Sequence, residues 1–356
     1  MYTLRQNSEV ILAGGQPDFY GDIMDAMAIC PDPIFLRDLC PQDGMPHKDS
    51  WGTTKIWMPG EPGETPLSSG ENQVVEDIED WKECVTVPPV DGLDWSMAEA
   101  FAKAVNRDEQ WVCYFSTTGL FERSHFLMGM EDALCNYLLY PDEMFELLTV
   151  VKDWKIECIR QAHEHLNPDA IFFQDDWGSK QNLFLPPDVW REIIKPLQRE
   201  IADVIHECGM LYVHHSDCYC AQIVEDMVDI GIDVWQGVIP ENPIEEIKGR
   251  TCGKLAMQGG IDTPAYDNGM AAEEDIRAGV RADVDRCLPG GRFFVGCPGG
   301  RAYNDWNNAI LQDELRRYGR QWALDHPVGE IRPDFDMDEY LSLFGEKVVI
   351  PSDNAA

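Results

Sequence analysis

Leu211-Tyr-Val-His-His-Ser-Asp-Cys-Tyr-Cys220 opens as an apolar run that reads as a buried strand and ends with two imidazoles, one carboxylate and two thiols. A strand that finishes in such a density of ligand-type side chains is where parallel βα folds build metal or acid/base sites. Around it, short β-branched or aromatic runs alternate with segments of helical periodicity, the pattern of βα units on a parallel sheet. The strands expected are 111–116, 170–174, 211–215, 233–237, 254–258 and 292–296. Their recurrence suits an eight-stranded (β/α)8 TIM barrel better than a short open sheet, although a doubly wound sheet has the same alternation.

The helices between them carry their own punctuation. Asp188, behind Pro186 and Pro187, is an expected N-cap for an amphipathic helix through Val189, Ile193, Ile194, Leu197, Ile201, Val204 and Ile205 to Gly209. Pro196 within it is expected to bend it. Two further helices end at Ile230 before Gly231 and at Cys287 before Pro289-Gly290-Gly291. The stretch from Cys40 to Asp94 differs: it is rich in Pro, Gly and Glu yet holds Trp51, Trp57 and Trp81, which suggests a folded, loop-rich cap or arm. The expected division is residues 1–95 as an N-terminal arm packed on the barrel and 96–356 as the (β/α)8 barrel, one structural domain overall.

Charge removes several function classes. Lys and Arg number 28 against 64 Asp and Glu, for a net charge of −36, so no nucleic acid and no anionic membrane is expected as partner. The N-terminus is polar and no apolar run reaches the ~20 residues of a membrane span, so a cytoplasmic location is expected. Most of the 12 cysteines are then expected to be reduced and buried, with Cys218, Cys220 and Cys297 set apart by position.

The strand ends supply the chemistry. Asp175 and Asp176 are adjacent, so one points to the barrel mouth and the other away; a carboxylate here serves either as acid/base or as a helix cap. His214 and His215 alternate in the same way. Asp217 lies two positions beyond His215, on the same face, with Cys220 nearby and Cys297 at a later strand end. His215, Asp217, Cys220 and Cys297 therefore form a candidate Zn2+ ligand set with a position open for substrate. Asp176 and His214 are the candidate catalytic acid/base groups. Phe121, Trp177 and Tyr219 flank these groups as candidate walls for an aromatic ligand, or as ordinary packing. Cys218-Tyr219-Cys220 lacks the CxxC geometry of a redox pair, and Gly259-Gly260 and Gly296-Cys-Pro-Gly-Gly300 match no phosphate-binding loop.

The ordered set Asp175-Asp-Trp-Gly178, Pro187-Asp-Val-Trp-Arg191, Lys195-Pro196, His215-Ser-Asp217, Asp229-Ile-Gly-Ile-Asp-Val-Trp235 and Gly259-Gly-Ile-Asp262 resembles the uroporphyrinogen decarboxylase superfamily. More narrowly it is similar to the branch of cobalamin-dependent methyltransferases that includes O-demethylases, and Asp49-Ser-Trp-Gly52 with Trp81-Lys82 resembles the N-terminal part of that branch. The resemblance implies a (β/α)8 barrel with its pocket at the strand C-termini. It does not imply porphyrin decarboxylation, because the Arg-rich N-terminal loop that holds porphyrin carboxylates is missing. In the zinc methyltransferases of this superfamily a His-x-Cys pair and a later Cys hold the metal. Here His215 and Cys297 match, while Asp217 stands at the first Cys, so Asp217, Cys218 or Cys220 completes the set, or no metal is held.

The expectation is an enzyme that moves a methyl group from a methoxylated aromatic donor to the cobalt of a separate corrinoid protein. Zinc or a general acid would activate the ether oxygen, and the cob(I)alamin or methylcobalamin would come with the partner, since no Asp-x-His-x-x-Gly module is visible. The alternatives are a metal-independent decarboxylase or lyase of the same superfamily using Asp176 and His214, and a non-catalytic binding protein in which the His/Cys set stores metal or stiffens a loop. The aromatic arm suggests a homodimer.

Overall fold

A computed structural model describes residues 1–61, 63–267, 271–302 and 304–344. Seven strands form one parallel sheet in chain order: β1 (Met27–Ile29), β2 (Trp111–Ser116), β3 (Ala170–Gln174), β4 (Leu211–His215), β5 (Val234–Val238), β6 (Ala256–Gly260) and β7 (Phe293–Gly296). Every neighbouring pair is parallel, from Met27 beside Trp111 to Gly296 beside Gly260. Helices connect successive strands, among them Pro141–Leu166, Pro187–Glu207 and Glu273–Cys287. Because helices cover one face and the sheet's own interior fills the other, the strands are apolar almost throughout, with β5 and β6 buried at every position.

The sheet curls. Asp22, five residues before β1, takes a hydrogen bond from Gln258 Nε2 on β6 at 2.9 Å. Across a flat sheet those strands would lie about 24 Å apart at ~4.8 Å per strand, beyond the reach of the four intervening residues, which are wound into a 3-10 turn. The architecture is thus TIM-barrel-like, but it corrects the expected strand count: among the described residues the parallel sheet has seven strands, and β1 and β7 are not paired with each other. β1 is three residues long and runs into Cys30-Pro-Asp-Pro33, too short for a hydrophobic period to mark it.

Pro46–Lys48, Thr54–Ile56 and Thr65–Pro66 make a separate antiparallel sheet of three short strands. It is tied to the main body by a buried ion pair, Arg123 Nη1 to Asp49 Oδ2 at 2.9 Å, with the guanidinium 5.0 Å from the Trp51 ring centre. The helix over 187–207 contains Pro196, and its N-cap is Pro186, so Asp188 sits in the first turn and not at the cap. No helix of the described residues is long and apolar enough to cross a membrane. No disulfide joins the cysteines, and Cys84, Cys135 and Cys252 are exposed.

Candidate active site

Strand alternation divides the neighbours at the ends of β3 and β4 between two environments. Tyr212 on β4 receives a hydrogen bond from Gln198 of the 187–207 helix, so its face of the strand, with His214, looks outward to the helices. His215 looks the other way, to the interior. There its ring and the carboxylates of Asp176 and Asp217 converge: one ligand atom from each lies within 4.8 Å of the other two. His215 Nε2 is 3.8 Å from Asp176 Oδ1, which also accepts the Asp217 backbone N–H at 3.0 Å. Asp217 reaches solvent, but partial burial and the nearby Asp176 charge push its carboxyl up to about 6.

The imidazole is held by a line of amides that the sequence reading missed. His215 Nδ1 is hydrogen-bonded to Gln236 Oε1. Gln236 turns its amide nitrogen to Gln258 Oε1 at 2.7 Å and to the Pro298 carbonyl at 3.1 Å. Gln258 in turn donates to Asp22 at 2.9 Å, while its own oxygen accepts from the Gly237 N–H at 3.2 Å. With both amide orientations fixed by backbone partners, the oxygen of Gln236 faces the ring, Nδ1 carries the proton, and the Nε2 lone pair is presented to the two carboxylates. One imidazole lone pair and two carboxylates, with solvent at one side, form a donor set that fits Zn2+ or a similar divalent cation with an open position.

The remaining expected ligands are placed elsewhere. Cys220 is fully buried, its Sγ 3.3 Å from Cys218 Sγ and 3.8 Å from Ser216 Oγ, and burial holds its thiol protonated. Cys297 is also fully buried, beside Thr263, and burial pushes its thiol up to about 12. Among the described residues neither sulfur joins the group at Asp176, His215 and Asp217.

His214 does not reach the mouth. Its ring stacks on Trp177 at 4.1 Å and on Phe173 at 6.0 Å, its Nδ1 is 3.0 Å from the Tyr212 hydroxyl, and burial drops it to about 3. It is a neutral core residue, not the acid/base group expected. Asp175 is a cap: its carboxylate accepts the Phe121 and Glu122 backbone N–H groups at 3.1 and 2.9 Å, and Trp177 Nε1 at 3.0 Å. The approach is so close that a Cβ on Gly119 would lie 2.3 Å from Asp175 Cβ. Trp177 and Phe121 are both 1% exposed, the latter stacked on Phe184 and Tyr137, so neither walls the mouth. Tyr219 is half-buried in the loop after β4, its N–H on the Ser179 carbonyl at 2.8 Å.

Other residues take those places. Phe35, Phe115 and Phe172 form a row of rings with centroids 5.2 and 5.5 Å apart that ends on His215 at 5.6 Å. Glu122 is buried, accepts Gln174 Nε2 at 3.5 Å, and is driven well above the usual carboxylate range by burial and by Asp176 and Asp175. The mouth opens beside Asp217 into a cavity of about 560 Å³ lined by Lys180, Thr263, Pro298, Gly299 and Arg301 among others.

A curled parallel sheet with its polar cluster at the strand C-termini defines the class: a TIM-barrel-like α/β protein with the site where that architecture places catalysis. Within it, the uroporphyrinogen decarboxylase (URO-D) family model matches residues 74–299, and the chain belongs to that family. Among solved structures a methyltransferase from Methanosarcina mazei is similar in fold, with TM-score 0.59 and 13% identity over 90% of this chain and 99% of that one. No curated protein sequence matches the chain.

Proposed function

We propose that this protein is a methyltransferase that moves the methyl group of a methoxylated aromatic compound to the cobalt of a separate corrinoid protein. The observation that carries the reading is the convergence of Asp176, His215 and Asp217, with the Nε2 lone pair turned toward the carboxylates. The structural likeness to a methyltransferase supports it.

An aryl methyl ether resists attack because its phenolate is a poor leaving group, so the site must stabilise charge on the ether oxygen. Asp176, His215 and Asp217 would hold Zn2+, which when bound supplies a Lewis acid for that oxygen. Gln236 keeps the His215 tautomer that offers Nε2. Phe115 and Phe172 give the donor's ring an apolar wall next to the imidazole. Glu122, its carboxyl raised well above the usual carboxylate range by burial and by Asp176 and Asp175, is the candidate proton donor. When the methyl carbon leaves, the C–O electron pair stays on the oxygen, and the Glu122 carboxyl would return a proton to it. The metal-independent decarboxylase or lyase reading is weaker, because His214 is sealed away from the mouth.

The test is methyl transfer from methoxyarenes to a reduced corrinoid protein, alongside the zinc content of the purified enzyme. Stoichiometric zinc and formation of methylcobalamin with phenol release are expected; a metal-free protein, or one that releases CO2 with no methyl transfer, overturns the reading.

A further inference from the structure

The end of the barrel opposite the mouth holds a hollow of about 790 Å³, a volume within the usual range for small-molecule sites. Lys254, just before β6, and Arg292, just before β7, line it, with the exposed His326 ring stacked on Trp322 at its edge. Its charge is out of keeping with the rest of the molecule. Carboxylates outnumber Lys and Arg 64 to 28 along the chain, yet no aspartate or glutamate lines this hollow. The mouth cavity, by contrast, is lined by Asp217, Glu241, Asp262 and Asp267 as well as two cations.

In so acidic a chain most cations have a carboxylate partner, but among the described residues Lys254 and Arg292 have none. Arg292 packs instead along two backbone turns. Its Nη1 donates to the Gly253 carbonyl at 2.6 Å, and its Nε lies 3.3 Å from where a Cβ on Gly14 would be. Its own φ is +50°, a left-handed conformation that is unfavourable for a bulky residue and persists only where the surroundings impose it. Lys248, behind the Gly290–Gly291 turn, lies in the adjoining hollow that Glu245 also lines, and its donors go to the Cys287 and Pro289 carbonyls, each at 2.6 Å. A concave patch of unneutralised positive charge beside exposed backbone turns is the chemistry that receives phosphate oxygens.

We propose that this hollow binds a phosphate-bearing small molecule. The site is separate from the mouth and independent of the methyl-transfer reading. β7 spans the two, with Arg292 at one end and Cys297 at the other.

Calorimetric titration of the full-length protein with inorganic phosphate, pyrophosphate and AMP at low ionic strength tests the assignment, the three probes separating a free anion from a phosphate carried on a larger body. At least one is expected to bind saturably at one site per chain, weakened tenfold or more by Lys254→Glu and left unchanged by Lys180→Glu at the mouth. Lys254 is exposed, so its variant should keep the wild-type melting temperature. Absence of saturable binding for all three probes, or binding indifferent to Lys254→Glu, overturns the proposal.

Discussion

Asp176, His215 and Asp217 on one side, and Asp175, His214 and Trp177 on the other, are two sets of side chains, each with an aspartate and a histidine, interleaved along the ends of β3 and β4. The first set faces the mouth, with two carboxylates and an imidazole within reach of one cation. The second faces the helices, where the same residue types become structural: Asp175 caps the helix Leu120–Met128, His214 is a neutral ring between aromatics, and Trp177 donates to the cap. Residue type alone therefore assigns no role here. The period of two along a strand does, because it decides whether a titratable group meets solvent and opposite charge or an apolar wall.

Two alanine substitutions one residue apart should break in opposite ways. His215→Ala is expected to lose bound metal and to lower methyl transfer by about 10³-fold or more, several kcal/mol of transition-state stabilisation, with little change in melting temperature. His214→Ala should keep the metal and lose about 3 kcal/mol of stability by leaving a cavity between Trp177 and Phe173. Metal analysis and urea denaturation of both variants decide the matter; if His214→Ala is stable but inactive, the assignment of the two faces is inverted.

The sheet was legible because parallel strands buried on both faces are unbroken apolar runs: the expected spans 111–116, 170–174 and 211–215 are those observed. Strands β5 and β6 slipped by one and two residues, since Val238 behind Gly237, and Gly259 with Gly260, read as loop while the backbone continues to pair. At the site, the two-residue spacing of His215 and Asp217 was readable, but which of Asp175 and Asp176 shares their side was not, because strand phase at a terminus is set by tertiary pairing. Gln236, Gln258 and Asp22 were invisible as a unit. They come from three segments over 200 residues of sequence, and a buried glutamine shows no pattern until its partners are in place.

The amide line behind His215 gives two smaller effects. Burial, with the nearby Asp25 charge, pushes the fully buried Asp22 up to about 7. The unfolded chain releases this proton near the ordinary aspartate value of 3.8, so the stability tied to protonated Asp22 is complete below that value and is lost as pH rises toward about 7. Wild type should therefore lose about 3 kcal/mol relative to Asp22→Asn between pH 4 and pH 8, read as the difference in urea stability at the two pH values. A parallel profile for the two proteins would show that Asp22 is charged throughout. Gln236→Leu removes the acceptor on His215 Nδ1 and frees the ring to take the other tautomer. Metal affinity should drop by about 10–100-fold, measured by competition with a chelator, while unaltered affinity would make Gln236 a packing residue only.

The smallest effect is expected at Cys297, the thiol that the resemblance in the sequence makes an expected metal ligand. Cys297 is fully buried and protonated, and its sulfur stands outside the carboxylate–imidazole group. Its segment nevertheless serves the site through the main chain: the Pro298 carbonyl accepts Gln236 Nε2, and the Cys297 carbonyl lies 3.5 Å from Gln258 Nε2. Cys297→Ser keeps that backbone and nearly the same volume, so zinc content should stay stoichiometric and activity should change by less than about tenfold, under 1.4 kcal/mol. Loss of zinc in this variant would mean that metal binding draws the sulfur inward, and that Asp176, His215 and Asp217 are an incomplete ligand set without it.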